Sequence, residues 1–386
     1  MKTLFLHIGT PKTATTSLQH FFKDNHEILG KNNFCYPIFP YKYKNTNIAR
    51  NGHFLIGKKY DNEGTRIIPE EERILREGIA TIQALFQEYD NVLLSDEGLW
   101  TVTYSGQDDI WDMLQNEAEE TGFSIKVIVY LRRQDEFVSS WWNQKVKMGK
   151  RRYSTTSWNE FIQNVNDILE LNYYRNLERI SNRIGKENVI VRRFGKRYFK
   201  NKSIYEDFFD ALGLEFTEEY RIKEEERNKG LNGSAIEIKR ILNGMPNLES
   251  KDNVLLRKMV MDVASARPEN KNGSLFSEEE AIAFLEQYLD DNRKIMREYL
   301  GKEEDLFDMR FKKSAKWNLN CTSMEKDLIL LMGNITMNFR KENEMLKSRL
   351  EAQEEELEKQ KQAFKGLTTK LKHPIKTVLY SARKLQ

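Results

Sequence analysis

Residues 3–22 read TLFLHIGTPKTATTSLQHFF, an apolar run, then a loop rich in hydroxyl groups, then a second apolar segment. The run from Thr3 to Ile8 predicts a buried β-strand, and the segment from Leu18 to Phe22 predicts the start of a helix. A strand that passes through a tight loop into a helix brings free backbone N–H groups together with the positive end of the helix dipole. The stretch therefore predicts an anion-binding loop at the end of a strand.

The loop carries a cation and several hydroxyl donors. Pro11 fixes the turn, and Lys12 places a positive charge beside a bound anion. The hydroxyl groups belong to Thr13, Thr15, Thr16 and Ser17. In the triphosphatase signature GxxxxGK[ST], counted from Gly9, glycine and lysine would fall on Ala14 and Thr15. The lysine stands three places before its expected position, which argues against a nucleoside-triphosphatase.

Three further continuous apolar runs predict strands, at Asn91 to Ser95, Ile125 to Leu131 and Asn188 to Phe194. Continuous runs are typical of parallel strands that are covered on both faces. Segments of helical periodicity separate them, so the chain alternates strand and helix. We expect an α/β fold with a P-loop-like central parallel sheet flanked by helices, and ligands beyond the carboxyl ends of the strands.

The expected domain spans residues 1–310. Within it, residues 31–69 are rich in Pro, Gly and Asn and predict an irregular insertion on the acceptor side. A helical tail follows at residues 324–386, where apolar residues recur at heptad spacing. The seam consists of Leu346, Leu350, Gln353, Leu357, Gln360, Phe364, Leu367 and Leu371, with Asn343 before it. Self-association through a coiled coil and a long solvated helix both fit this pattern.

The tail ends in a basic amphipathic segment. Lys365, Lys370, Lys372, Lys376, Arg383 and Lys384 occur there without an acidic residue. Such a segment can bind an anionic membrane surface, or it can pack on its own domain. Both interpretations stay open.

Composition excludes several classes of protein. The 386 residues carry a net charge of +3, from 62 basic and 59 acidic residues, so we expect no nucleic-acid partner. Cys35 and Cys321 are the only cysteines and indicate neither a disulfide framework nor a zinc site. The sequence contains neither a signal peptide nor a run of about 18 apolar residues, so we expect a cytoplasmic protein, peripheral at the inner face of the membrane if the tail binds there.

The loop at Pro11–Ser17 resembles that of the sulfotransferase superfamily, PK-x-[GA]-T-[TS], which surrounds the 5′-phosphosulfate of 3′-phosphoadenosine-5′-phosphosulfate (PAPS). The family's second signature is a strand that ends in arginine, with a serine eight residues later. Arg132 and Ser140 have that spacing after the strand ending at Leu131, and Arg133 is the alternative arginine. The resemblance implies that these residues bind the 3′-phosphate, and a guanidinium suits that role because it binds phosphate bidentately.

The resemblance covers roughly residues 1–245 and implies further roles. Lys229, in a loop similar to one that covers the 3′-phosphate, is a candidate donor ligand. Lys12 would neutralise charge on the leaving phosphate oxygen. The base that takes the acceptor proton would be Glu97, with Asp96 as the fallback, or His53 in the insertion.

We therefore expect a PAPS-dependent sulfotransferase that requires no metal and acts on a carbohydrate or glycolipid hydroxyl. Two alternatives are a P-loop kinase, since Val92 to Asp96 is also similar to a magnesium-binding strand, and a non-catalytic coiled-coil scaffold.

Overall fold

The computed structural model describes residues 2–44, 46–149, 152–223, 231, 233–266, 274–311, 316–317 and 322–383, with side chains in the last helix described from residue 324 to residue 365. Five parallel strands form one sheet in the order β2-β3-β1-β4-β5. Their bounds are β1 Thr3–His7, β2 Phe34–Cys35, β3 Asn91–Ser95, β4 Ser124–Leu131 and β5 Val189–Arg193. The predicted parallel α/β sheet is confirmed.

Strand β1 occupies the centre of the sheet because it pairs with β3 on one side and β4 on the other. His7, its last residue, is in register with Ser95 of β3 and Ile128 of β4. The chain leaves β1 toward one edge of the sheet and later crosses from β3 to β4 in the opposite direction. The loops after β1 and after its neighbours therefore diverge at this point, which is where ligands bind in such sheets.

Helices flank the sheet on both faces and continue beyond it. Their bounds are α1 Thr15–Asp24, α2 His26–Lys31, α3 Ile68–Leu85, α4 Gly98–Tyr104, α5 Asp109–Thr121, α6 Gln134–Met148, α7 Trp158–Gln163, α8 Val165–Ile168, α9 Tyr173–Ile184, α10 Ile204–Leu212, α11 Ser234–Leu242, α12 Ser250–Ala266, α13 Glu278–Glu286, α14 Leu289–Leu300 and α15 Thr322–Arg383. Short 3₁₀ turns lie at Asn51–Leu55, Lys186–Asn188 and Lys200–Lys202.

Alternate residues of β1 enter different cores, as the pleat of a strand requires. Leu4 and Leu6 pack with helices such as α3 and α5, whereas Phe5 packs with α1 and α10 on the other face. A third core contains no strand. It is formed by apolar residues of α6, α7, α11, α12, α13 and the beginning of α15, including Trp142 and Leu331, together with Phe276 just before α13.

The expected boundaries, with a domain at residues 1–310 and a tail at residues 324–386, stay a prediction. The region 31–69 contains the short edge strand β2, the 3₁₀ turn at Asn51–Leu55 and the first residues of α3, so it is more ordered than its sequence indicates. The long helix α15 begins at Thr322, and Leu331 is buried in the third core. The beginning of this helix therefore packs against the rest of the domain.

Helix α15 is continuous over 62 residues. Pairing of this helix with another stays a prediction, and so does the membrane contact, because the basic residues after Lys365 lie beyond the described side chains. No helix within the described part of the chain combines the length and the apolar character needed to cross a bilayer.

Candidate active site

The loop after β1 is bonded to the end of β4. The backbone N–H of Thr10 donates to the carbonyl oxygen of Tyr130 over 2.9 Å, and the N–H of Tyr130 donates to the carbonyl oxygen of Gly9 over 2.5 Å. The buried Thr13 hydroxyl donates to the carbonyl oxygen of Thr10 over 2.5 Å. This hydroxyl therefore shapes the loop instead of facing a ligand.

The loop backbone has the form of an anion site. Lys12 and Ala14 have φ values of 70° and 60°, and Thr13 between them has no positive φ. Alternation of this kind turns successive backbone N–H groups toward one concave side, as in known anion-binding nests. Ala14 directly precedes α1, so the positive end of the helix dipole points at the same place.

A cleft of about 1440 Å³ opens beside this loop. Of the seven predicted loop residues, Lys12 and Thr16 line it, and Arg132 and Ser140 line it as well. Cations outnumber carboxylates among its described lining residues: Lys12, Arg132, Arg133, Lys147, Lys196, Arg197 and Arg310 against Asp135, Glu136 and Glu278. A chain of nearly neutral net charge thus presents a locally positive cleft, which favours anionic ligands.

Arg132 connects the two motifs. It directly follows β4, and its Nη1 donates to the carbonyl oxygen of Lys12 over 3.0 Å. Its Nε is 3.3 Å from a carboxylate oxygen of Glu136, and its guanidinium lies 5.4 Å from the ring centre of Phe194. Ser140 lies on α6 and lines the same cleft. The predicted pair is thus brought together with Lys12 by the fold.

Arg133, the alternative arginine for phosphate binding, is instead bonded within the protein. Its guanidinium forms two hydrogen bonds with Asp135, of 2.7 and 2.9 Å. Nη1 also donates to the carbonyl oxygens of Asp308 and Arg310, both over 3.1 Å. Because these bonds already occupy the buried side chain, Arg132 is the arginine with the greater freedom to bind a ligand.

Lys12 is largely shielded from solvent, and its Nζ is 3.4 Å from Oε1 of Gln144. Burial lowers the pKa of Lys12 to about 8, and the neighbouring charges of Lys147 and Arg132 act in the same direction. Glu97 opposes them by raising this pKa. The lysine is thus a cation whose charge an incoming anion would stabilise.

A second polar group lies at the end of β3. The buried carboxylate of Asp96 accepts a hydrogen bond from Arg50, and its Oδ2 is 2.8 Å from Nδ1 of His53. Its Oδ1 also accepts from the backbone N–H of Gly98 over 2.6 Å. Burial would raise the pKa of Asp96, but His53 and Arg50 outweigh it, and the net shift is downward. Asp96 is therefore an ionised group that orients His53.

Glu97 lies between this group and the loop. Its Oε2 accepts a hydrogen bond from Nε2 of Gln19 over 3.1 Å, and its Oε1 is 3.4 Å from Arg50. The same Gln19 amide donates to the Ser95 hydroxyl over 3.2 Å. A Cβ built on Gly9 would lie 3.0 Å from Cβ of Glu97, so the loop packs directly on this residue.

A smaller pocket of about 310 Å³ lies beside His53 and Arg50. Aromatic rings form much of its wall: Phe39, Tyr41, Tyr43 and Phe54. The Tyr43 ring stands edge-on to His53, with 4.7 Å between ring centres. Most of this pocket comes from the region predicted to form the acceptor side.

Several site residues escaped sequence reasoning. Lys147 is seven residues after Ser140, and Gln144 is four after it, so helical periodicity on α6 could have identified both as facing the cleft. Arg50 had no such signal, because it lies in a region without periodicity.

The predicted donor ligand Lys229 lies outside the described residues. In the part of the chain that the structure describes, no group of three or more His, Cys, Asp or Glu side chains is placed to hold a metal ion.

Comparisons with known proteins are limited in extent. No family model matches the chain. An uncharacterized protein of Archaeoglobus fulgidus is 30% identical over 182 residues, which are 46% of this chain and 46% of that protein, so the chain spans about half the length of this curated relative. A crystal structure of a sulfotransferase from Alicyclobacillus acidocaldarius is similar with a TM-score of 0.35 and 14% identity, over 58% of this chain and 87% of that one. At that TM-score the likeness supports no functional conclusion, and the case for a function rests on the residues of the cleft.

Proposed function

We propose that the protein transfers a sulfuryl group from PAPS to a hydroxyl group of a carbohydrate or glycolipid. One observation carries this proposal: Lys12 and Arg132, which belong to two motifs about 120 residues apart, touch each other at the mouth of one positively charged cleft. The donor carries a phosphosulfate and a separate 3′-phosphate, so it needs two anion sites in one cleft. The nest around Lys12 and the pair of Arg132 with Ser140 supply them.

The reaction requires little more than charge stabilisation and a base. The acceptor oxygen forms a bond to sulfur while the bond from sulfur to the 5′-phosphate oxygen breaks, which releases adenosine 3′,5′-bisphosphate. Lys12 stabilises the negative charge that develops on that phosphate oxygen. The hydroxyl proton passes to a carboxylate or imidazole beside the loop.

We assign the base to Glu97. Its charge acts on Lys12, and the loop packs against its side chain, so it lies next to the reacting phosphosulfate. His53 faces the smaller pocket, where its Nε2 can accept a hydrogen bond from the acceptor while Nδ1 contacts Asp96. The three carboxyl and imidazole groups thus take separate roles in this proposal.

The smaller pocket supports the proposed acceptor class. Tyr41 and Tyr43 lie on its wall beside the largely buried rings of Phe39 and Phe54, and Arg50 and His53 supply polar groups. A pocket with rings on its wall and polar groups at its end suits one sugar unit of a larger glycan or glycolipid.

Isothermal titration calorimetry separates this proposal from a kinase. We expect adenosine 3′,5′-bisphosphate to bind in the presence of EDTA, and ATP with magnesium to bind at least 100-fold more weakly. A kinase would need a carboxylate free for magnesium, whereas Asp96 is held by Arg50, His53 and the N–H of Gly98. The opposite order of affinities would overturn the proposal. Transfer of labelled sulfate from PAPS to a panel of glycans and glycolipids then tests the acceptor class.

A further inference from the structure

Helix α15 exposes an apolar stripe, interrupted by four polar residues, over the part whose side chains are described. Large apolar side chains that are mostly exposed recur at intervals of three, four or seven residues: Ile329, Met332, Phe339, Leu346, Leu350, Leu357 and Phe364. At 1.5 Å per residue, the helix of 62 residues is roughly 93 Å long. A stripe of this kind on a long polar helix is the pattern of a coiled-coil seam. Four further exposed apolar side chains lie outside it: Leu328, Leu330, Met337 and Met345.

The stripe has a strict heptad register. Ile329, Leu350, Leu357 and Phe364 take position a, and Met332, Phe339 and Leu346 take position d. The polar residues of the seam are Thr336 and Asn343 at a, and Gln353 and Gln360 at d. An asparagine at a single a position sets register and strand number in parallel dimers, because its amide finds a partner only when it meets the asparagine of the other helix.

The domain packs against the side of α15 that is opposite to the a and d positions, so the side chains of the seam stay exposed. Leu331 is 5% exposed in the third core, whereas its neighbours Ile329 and Met332 are each 68% exposed. Ile335 also packs against that core. The domain side of the helix therefore lies at positions c and g, and the a and d positions point away from it from the first heptad onward.

The residues that flank the seam carry complementary charges for a parallel pair. In a parallel, in-register dimer, each g residue faces the e residue five places later on the other helix. Glu342 then meets Lys347 of the other copy, Arg349 meets Glu354, and Glu356 meets Lys361. All three pairs have opposite charges, and twofold symmetry repeats each one.

In an antiparallel pair of α15 helices, the charged g residues would face each other instead of facing e residues. Its g residues face g residues, so an alignment that overlaps these heptads fully places Arg349 against its own copy and Glu342 against Glu356. Like charges in such positions are unfavourable. The charge pattern thus distinguishes the two orientations, which the apolar stripe alone does not.

We propose that α15 is the interface of a parallel, in-register homodimer, with a second copy of this chain as the occupant of the exposed seam. The dimer holds both sheet domains at one end of the coiled coil and both C-terminal segments at the other. This inference stands on the helix alone and is independent of the proposed sulfotransferase activity.

Charge reversal on the full-length chain tests the interface. The g-reversed variant carries Glu342→Lys, Arg349→Glu and Glu356→Lys, and the e-reversed variant carries Lys347→Glu, Glu354→Lys and Lys361→Glu. Sedimentation equilibrium should give a dimer for the wild type and at least 100-fold weaker dimerisation for each variant. An equimolar mixture of the two should restore a heterodimer, because every facing pair is attractive again.

These substitutions lie on exposed positions beyond the domain contact, so the melting of the domain should stay unchanged and separate misfolding from loss of the interface. A monomeric wild type at tens of micromolar would overturn the proposal. A trimer or tetramer, or variants that dimerise as tightly as the wild type, would overturn it too.

A cysteine tests orientation. Leu346→Cys at a d position should form an interchain disulfide under mild oxidation, because the two copies of residue 346 meet in a parallel, in-register pair. The substitution is made in a Cys35→Ser, Cys321→Ser background, and that background without Leu346→Cys is the matched control and should not crosslink. A dimer in which this cysteine fails to crosslink would exclude the parallel, in-register arrangement.

Discussion

Arg132 donates a hydrogen bond from Nη1 to the backbone carbonyl oxygen of Lys12 across 3.0 Å. The two residues follow the neighbouring strands β4 and β1, so this bond adds to the backbone bonds of Gly9 and Thr10 with Tyr130 in joining the two sequence motifs. Arg132 is itself placed by Glu136 and by the ring of Phe194. A change at Arg132 is therefore transmitted to the backbone that carries Lys12.

Lys12 should be essential for transfer and dispensable for folding. Lys12→Ala removes the cation beside the leaving oxygen, and we expect kcat to fall by about 100–1000-fold, the usual effect of losing one charge-stabilising group. Lys12→Arg keeps the charge and should retain more activity than the alanine variant. Sulfate transfer assays measure both, and full activity of Lys12→Ala would contradict the assignment.

Nucleotide affinity should depend on pH through Lys12. The free protein loses the Lys12 proton near its pKa of about 8, whereas a bound phosphate stabilises the charged form and raises that pKa. Affinity for adenosine 3′,5′-bisphosphate should therefore stay level below pH 8 and fall by up to about tenfold per pH unit above it. Calorimetry between pH 7 and pH 9.5 measures this. Lys12→Arg should give a level profile, and a level profile in the wild type would refute the prediction.

The pair of Arg132 and Ser140 should govern affinity for the 3′-phosphate. Arg132→Ala should weaken binding of adenosine 3′,5′-bisphosphate by about 100-fold, because charged hydrogen bonds to phosphate contribute about 1.5–3 kcal/mol. Ser140→Ala should weaken it by about fivefold. Adenosine 5′-phosphate, which lacks the 3′-phosphate, should lose much less affinity on either substitution. The exposed Arg175→Ala variant is the control, and equal losses for both nucleotides would refute the role.

Glu97→Gln should abolish proton removal while keeping the size and hydrogen-bonding of the side chain. We expect kcat to fall about 100-fold or more with little change in nucleotide affinity. His53→Gln should act mainly on the KM of the acceptor, because His53 faces the smaller pocket. If His53→Gln shows the larger fall in kcat and Glu97→Gln is mild, the two roles are exchanged.

Ala14→Gly should stabilise the fold. Ala14 has a φ of 60°, a conformation that costs an alanine about 1–2 kcal/mol and costs glycine little. After the larger entropy loss of glycine, the free energy of unfolding should rise by about 0.5–1 kcal/mol. Ala84→Gly on the exposed side of α3 is the matched control and should lower it by a similar amount. Equal destabilisation by both variants in urea would contradict this account.

The sequence alone predicted most strands of the sheet. Of the polar group at the end of β3, it predicted Asp96 and His53 but not Arg50. Continuous apolar runs identify β1, β3 and β4 because both faces of these strands are largely buried, and a shorter run identifies the partly buried edge strand β5. Strand β2 has two residues, Phe34 and Cys35, and no periodicity can arise over that length. The pairing of Arg132 with Ser140 came from the resemblance to the sulfotransferase signature, and both residues line the cleft.

Contacts between distant segments could not be predicted in this way. Arg50 reaches Asp96 across 46 residues, and nothing in its own neighbourhood marks it. The lowered pKa of Lys12 comes from burial and from Lys147, which tertiary packing brings near. Pattern reasoning thus finds residues that a strand or helix places, and misses those that become functional only after separate elements meet.

The first turns of α15 have a consequence for how far the protein can be shortened. Leu331 fills the third core, and Phe276 of the same core is part of the cleft wall. A protease cut or a stop codon before residue 322 would uncover that apolar core and loosen one wall of the cleft, although none of the described side chains of α15 lines the cleft. The smallest chain that keeps the site intact therefore extends to about Ile335, and shorter fragments should aggregate.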